Sequence, residues 1–209
     1  SYATQEEVPF YNKQHRIVLE RCGHMDAESI WEYIARGGYK AFEKALFDLT
    51  DEQICIEMLT SGLRGRGGGG FPTGKKWDSV RRQPSGEKYV VCNGDKGDPG
   101  ADGAPGKDGA QGRINRVAGA FVCGEGSALT ASIEGNRGMP RTKPPRTVEK
   151  GLWAKPTVLN NVETFAAVPL IIEHGAAWFR QVGTAGSPGT KAFALTGNVV
   201  NIGLIEVPM

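Results

Sequence analysis

The run Gly62-Leu-Arg-Gly-Arg-Gly-Gly-Gly-Gly-Phe-Pro-Thr-Gly-Lys-Lys-Trp77 constrains this chain more than any other segment. Seven glycines, two arginines and two lysines stand there between bulky apolar anchors. Glycine reaches positive φ without strain and lets main-chain N–H groups approach a ligand with no Cβ in the way. A succession of such N–H groups makes a concave anion trap, and neighbouring cations complete a phosphate site. The competing reading is a flexible linker, but linkers are diluted with Ser and lack a Phe-Pro-Thr-Gly turn closed by Trp. The segment is read as a phosphate cradle.

A length of 209 residues suits one large domain, or one domain with part of another. The 30 glycines hold the hydrophobic fraction to 39%, which still allows a core. A net charge of +2 gives no global case for a nucleic-acid partner. Basic patches at residues 64–76 and 137–150 lie beside glycines, as phosphate sites do; solvated surface is the plainer alternative. No apolar run reaches about 18 residues and no signal peptide is present, so no direct membrane insertion is expected and the chain is placed in the cytoplasm. Cys22, Cys55, Cys92 and Cys123 stand singly with no Cys-x-x-Cys, so no metal site is expected from this chain alone. They read as small residues in a reducing compartment. The chain opens and stops mid-pattern, as a piece of something longer would.

Asp26 is read as the N-cap of a helix carrying Ile30 and Ile34 and ended by Gly37-Gly38, with a second short helix over residues 41–46. Thr50-Asp-Glu-Gln53 spells a capping box, opening a helix with Ile54, Cys55, Met58 and Leu59 on one face and Gly62 at its end. Residues 1–61 are thus a helical lead-in. Residues 88–92 form a short apolar strand that stops at Asn93-Gly-Asp95, and residues 118–123 form another, ending in Gly124-Glu-Gly126. A helix with Leu129 and Ile133 follows, stopped by Gly135. Strand, glycine turn, helix is the order that brings a helix N-terminus to the ligand edge of an α/β sheet. Asn160-Asn161 precede a further helix bearing Val162 and Phe165, and residues 191–196 and 199–207 read as strands of a β-rich unit.

One segment stands apart. Gly94, Gly97, Gly100, Gly103, Gly106, Gly109 and Gly112 recur every third residue, with Pro99 and Pro105 in the third position. That is collagen spacing, but a triple helix needs three chains and many more triplets. Residues 94–112 are read as an extended loop, with a structural protein that trimerises through the Gly-x-x run as the alternative.

Three templates compete for the glycine segment. Gly65-x-Gly67-x-x-Gly70 spells the dinucleotide fingerprint, but it follows a capped helix where that fingerprint follows a strand. Gly69-x-x-x-x-Gly74-Lys75 resembles a Walker A loop, yet Lys76 stands where Ser or Thr would hold magnesium and Pro72 sits inside the turn. The third template is the whole string. Residues 63–77 closely resemble the flavin-binding loop of the NADH-oxidising flavoprotein subunit of respiratory complex I. NAD(P)-linked and electron-bifurcating hydrogenases and formate dehydrogenases share that subunit family. The resemblance continues in order through Tyr89-Val-Val-Cys-Asn-Gly-Asp95, Asp98-Pro-Gly, Gly119-Ala-Phe-Val-Cys-Gly-Glu125 and Ser132-Ile-Glu-Gly135. It then takes in Pro140-Arg, Lys143-Pro-Pro145, Gly151-Leu-Trp and Lys155-Pro-Thr-Val-Leu-Asn-Asn-Val-Glu-Thr164.

The resemblance implies FMN at Gly65, Arg66, Gly67, Gly68, Gly70 and Lys76, with Asn93 and Asp95 at the flavin and ribityl edge. It places Gly124, Glu125, Asn160, Asn161 and Thr164 in the same pocket, and Phe71, Asp98, Phe121 and Lys143 on the side of NAD(H). Phe71 and Phe121 suit ring stacking, with core packing as the alternative for each. The implied activity is FMN-dependent NADH oxidation, in which the flavin carries the hydride chemistry and no side chain is catalytic. Electrons would pass to iron–sulfur partner subunits of a multisubunit complex. A [4Fe-4S] centre belongs to a later cysteine cluster of full-length members and has no ligands here. The expected fold is α/β: the helical lead-in, a Rossmann-like, mostly parallel core over 62–183, and the start of a β-grasp-like domain over 184–209. A flavin- or phosphate-binding module without turnover is the second functional reading.

The chain departs from the family pattern at named positions. Lys96 replaces an acidic residue, Gly126 a second glutamate, Arg146 an aromatic residue, and Phe121 a frequent Tyr. Several dozen residues that the family carries before Gly119 are missing, and the collagen-like run stands in their place. Lys96 and Gly126 are expected to weaken binding of reduced nucleotide.

Overall fold

The computed structural model describes residues 8–94 and 124–209. In chain order the first elements are α1 (Pro9–Asn12), α2 (Ile30–Ala35), α3 (Lys40–Phe47), α4 (Asp51–Ser61), α5 (Thr73–Arg81) and β1 (Tyr89–Asn93). There follow α6 (Gly126–Ile133), α7 (Thr147–Lys150), a 3-10 turn Leu152–Ala154, β2 (Thr157–Asn161), α8 (Val162–His174) and α9 (Ala176–Phe179). Two antiparallel pairs close the chain: β3 (Gly183–Thr184) with β4 (Ser187–Pro188), and β5 (Thr190–Leu195) with β6 (Gly203–Pro208). These elements fall into two compact units, one of Ser1–Lys75 with Glu163–Met209 and one of Lys76–Val162.

In the first unit α4 carries the capping box read from the sequence. Thr50 Oγ1 accepts from the Gln53 N–H at 3.2 Å and Gln53 Oε1 from the Thr50 N–H at 2.8 Å. Gly62 closes the helix in the left-handed region. The α2 cap differs from the expectation. Ser29 caps it, accepting from the Glu32 N–H at 3.2 Å, while Asp26 builds the turn before it by accepting from the Glu28 N–H at 2.9 Å. Both residue types cap well, and the one adjoining the first apolar helical residue takes the role. Helix α4 packs on α9, and Met58, Leu63, Ile171 and Phe179 are buried in this unit. Each such burial contributes roughly 1.5–3 kcal/mol.

The β5–β6 pair runs from Thr190 opposite Pro208 to Leu195 opposite Gly203. The second strand therefore starts at Gly203, not at Val199 as its apolar residues suggest. Antiparallel pairing leaves the residues between Leu195 and Gly203 as the connection, and Val200 is fully exposed there. Glu206 of β6 is buried. Its carboxylate accepts from the N–H groups of Val18 and Leu19, at 2.9 and 2.8 Å, and from the Thr190 hydroxyl. Those bonds tie the N-terminal lead-in to the last strands and satisfy a carboxylate that burial would otherwise penalise.

In the second unit β1 and β2 lie parallel, with Tyr89 opposite Thr157 and Asn93 opposite Asn161. Sequence reading found β1 but missed β2, because its apolar run is only Val158-Leu159 and a helix follows with no intervening turn. Val91, Leu129 and Leu152 form the core of this unit, with Tyr89, Ile133 and Leu159 packed against them. Helix α6 ends as expected at Gly135. The Gly135 N–H donates to Ser132 O and the Asn136 N–H to Ala131 O, a Schellman closure. The expected strand at 118–123 and the triplets beyond Gly94 lie outside the described residues. No helix among the described residues is long and apolar enough to cross a membrane.

Candidate functional site

The glycine turn belongs to the first unit. Beyond Gly62 the chain doubles back: Arg64 and Pro72 form an antiparallel bridge, the Gly65 N–H donates to Phe71 O, and the Thr73 N–H donates to Leu63 O, both at 2.9 Å. The tip is open. Gly67, Gly68 and Gly69 are exposed, and a methyl built on Gly68, Gly69 or Gly70 would meet nothing within 4 Å. Gly68 has φ +104°, which a residue with a Cβ rarely adopts. Arg64 spans the base, donating to Gly70 O at 3.1 Å and Gly186 O at 2.9 Å. Phe71 is half-exposed beside the tip.

Arg66 is turned inward. Its N–H donates to Thr164 Oγ1 at 2.9 Å, its guanidinium donates to Pro188 O at 2.6 Å, and its carbonyl accepts from Lys191 Nζ at 2.7 Å. Desolvation pulls the guanidinium below its ordinary pKa, with the charge of Glu163 opposing. Helix α5 then begins at Thr73, whose hydroxyl is buried without a hydrogen-bond partner. Sequence reading took this stretch only as the end of the turn. A turn of glycines feeding a helix N-terminus presents N–H groups and a positive dipole end together. Gly74 lets the new helix pass α4, since a Cβ there would stand 2.5 Å from the Leu59 nitrogen.

The second unit holds the other cluster. Register places Asn93 beside Asn161 and Cys92 beside Asn160 at the carboxyl ends of β1 and β2, the end of a parallel pair where ligands bind. Lys76 Nζ donates to Leu159 O and Asn160 Oδ1, both at 2.8 Å. Burial lowers its pKa. The other end of the Asn160 amide, Nδ2, is buried without a partner. Asn93 Nδ2 reaches Gly124 O at 3.4 Å. Glu125 caps α6, accepting from the N–H groups of Ser127 and Ala128 and from the Ser127 hydroxyl, and pairs with Lys143 Nζ at 2.8 Å. Burial pushes its carboxyl up. The bonds from Lys143, Ser127 and the two N–H groups together outweigh that and hold the pKa at about 2.

Thus Gly65, Arg66, Gly67, Gly68, Gly70, Phe71 and Thr164 lie in the first unit, with Thr164 bonded to the Arg66 backbone. Lys76, Asn93, Gly124, Glu125, Lys143, Asn160 and Asn161 lie in the second, joined in the pairs just described. Asp95, Asp98 and Phe121 lie outside the described residues. Sequence reasoning missed Thr73, Glu163 and Lys191. Thr73 and Glu163 stand inside quoted motifs and were legible there, whereas Lys191 carries no sequence signal.

A family model described as the Nuo51 FMN-binding domain matches residues 58–103 and 101–170, more than half of the chain. The two segments meet inside the Gly-x-x run. The NADP-reducing hydrogenase subunit HndC of Solidesulfovibrio fructosivorans is 41% identical over 256 residues, covering 94% of this chain and 52% of its own. An NADH-quinone oxidoreductase subunit of Rhizobium meliloti (strain 1021) is 36% identical over 253 residues, covering 92% and 60%. The chain spans about half the length of the curated relatives it matches. An alignment of 256 residues on a chain of 209 requires several dozen positions with no counterpart here. The crystal structure of an NAD+-reducing [NiFe]-hydrogenase in the air-oxidized state superposes with a TM-score of 0.71 at 30% identity, over 93% of this chain and 41% of that one.

Proposed function

Because this chain belongs to the Nuo51 FMN-binding-domain family, we propose that it is the flavin-bearing part of an FMN-dependent NADH oxidoreductase subunit. The observation that carries the reading is Lys76, seated on Asn160 at the carboxyl end of a parallel strand pair, with Asn160 Nδ2 left buried and unbonded. Thr73 Oγ1, at the end of the glycine turn, is unbonded too. Each such atom costs about 1–3 kcal/mol, which a ligand rich in carbonyls and hydroxyls would offset. Each of these donors, within its own unit, suits the carbonyl- and hydroxyl-rich groups of FMN.

In this reading Gly67, Gly68 and Gly70 hold the phosphate through main-chain N–H groups, Gly65 and Arg66 shape the turn because their own N–H groups go to Phe71 O and Thr164 Oγ1, and the start of α5 adds its dipole. Arg66 serves through its backbone, since its guanidinium is directed at Pro188 O. Lys76, Asn93, Asp95, Gly124, Glu125, Asn160, Asn161 and Thr164 hold the flavin and ribityl groups. Phe71, Asp98, Phe121 and Lys143 receive NAD(H), and the half-exposed ring of Phe71 suits stacking on an aromatic base. FMN, when bound, supplies acceptance of hydride from NADH. Residues 62–183 serve as the Rossmann-like cofactor core, 1–61 as a scaffold, 184–209 as part of a β-grasp-like domain, and 94–112 replace a family segment. Iron–sulfur subunits of a cytoplasmic multisubunit complex receive the electrons.

Anaerobic addition of NADH to the FMN-loaded chain tests the reading: the flavin absorbance band should bleach. A second reading, a flavin-binding module without turnover, is favoured by the missing family residues and by Lys96 and Gly126. It predicts tight FMN binding with no bleaching.

A further inference from the structure

The turn that would carry the phosphate is gripped from behind, on one side by a lysine outside every motif quoted above. On the other side of Arg66, its N–H donates to Thr164 Oγ1 in the first turn of α8. The Arg66 carbonyl accepts from that lysine, Lys191 of β5, with Nζ at 2.7 Å. Glu163, the neighbour of Thr164, secures Lys191: one carboxylate oxygen lies 3.4 Å from Lys191 Nζ, and the other accepts from the Ala192 N–H at 2.7 Å. The pair is largely shielded, with side chains 24% and 16% exposed, so water competes little for it. All of these residues lie in one compact unit.

The peptide joining Arg66 to Gly67 is trans. In a planar trans peptide the C=O and the following N–H point in opposite directions. Holding the Arg66 carbonyl toward Lys191 therefore turns the Gly67 N–H away from Lys191. Gly67 itself is exposed, at the start of a tip whose next three glycines front open space. A glycine peptide flips easily, so a donor at this position needs an anchor on its far side. We propose that Lys191, held by Glu163, is the positioning residue that aims the Gly67 N–H at the phosphate monoester of the flavin nucleotide. This rests on the FMN reading above and extends it to a residue that touches no ligand.

The test is equilibrium titration of the full chain with FMN and, separately, with riboflavin, which has the same rings and ribityl chain but no phosphate. Wild type should prefer FMN. Lys191→Met should weaken FMN by roughly tenfold, the worth of one charge-assisted hydrogen bond, and leave riboflavin unchanged. Lys191→Arg should recover part of the loss, and Glu163→Gln should show a smaller loss in the same ratio. If Lys191→Met loses its far-UV circular dichroism, the Glu163→Gln ratio decides. Unchanged FMN affinity in the variants overturns the proposal, as does a parallel loss of FMN and riboflavin, which marks a merely structural role. A wild-type chain that binds FMN no better than riboflavin overturns the phosphate reading of the whole turn, and this inference with it.

Discussion

At the first turn of α6 a carboxylate, a hydroxyl, two N–H groups and an ammonium meet around Glu125. The carboxyl is held at about 2, below its ordinary 4.5. A group whose folded pKa lies below its unfolded one adds stability that is fully present above about pH 4.5 and is lost as the pH falls through about 2. The side chain is 31% exposed, so the contribution is set at about 1 kcal/mol rather than the full value of the shift. Urea denaturation between pH 5 and pH 2 checks this (about 1 kcal/mol more loss in wild type than in Glu125→Gln). Equal losses would show that the cap has no pH-dependent role. Arg66 teaches a second lesson at this scale. Its charge suggested a phosphate partner, but burial and the Pro188 carbonyl absorb the guanidinium, while Thr164 and Lys191 take its N–H and its carbonyl and so fix the turn beside it.

Elements were legible where a local signal brackets them. Thr50, Gln53 and Gly62 bound α4, and Gly135 bounds α6, because caps act within a few residues. β2 was not legible, since two apolar residues take strand form only by pairing with β1 far along the chain. α5 was hidden too: Thr-Gly-Lys-Lys-Trp-Asp lacks an apolar period, and only its start, at Gly74, passes close to Leu59 of α4. That passage gives a test. Gly74→Ala places a methyl 2.5 Å from backbone nitrogen, which has to shift. We expect a loss of about 2–3 kcal/mol, typical of overpacking against main chain, read as a lower thermal midpoint. Gly126, in contrast, has room. A Cβ there meets only Leu159 and Thr147 side chains, at 3.7 and 3.8 Å, so an added glutamate should leave α6 folded.

Across the whole molecule, the family's ordered motifs made membership readable, while the partition into units was set by contacts between segments far apart in sequence, such as Glu206 with residues 18–19. Lys96→Glu combined with Gly126→Glu puts acidic residues where the resemblance implies them, and NADH affinity should tighten about tenfold or more, measured by titration of the FMN-loaded chain. No change would count against a role for those two positions. That this chain holds FMN is tested by a flavin-fluorescence titration of wild type beside Lys76→Ala. Saturable one-to-one binding that the substitution abolishes is expected, because Asn160 and Leu159 lose the ammonium seated on them. Failure of wild type to bind, or equal binding by both proteins, would contradict it.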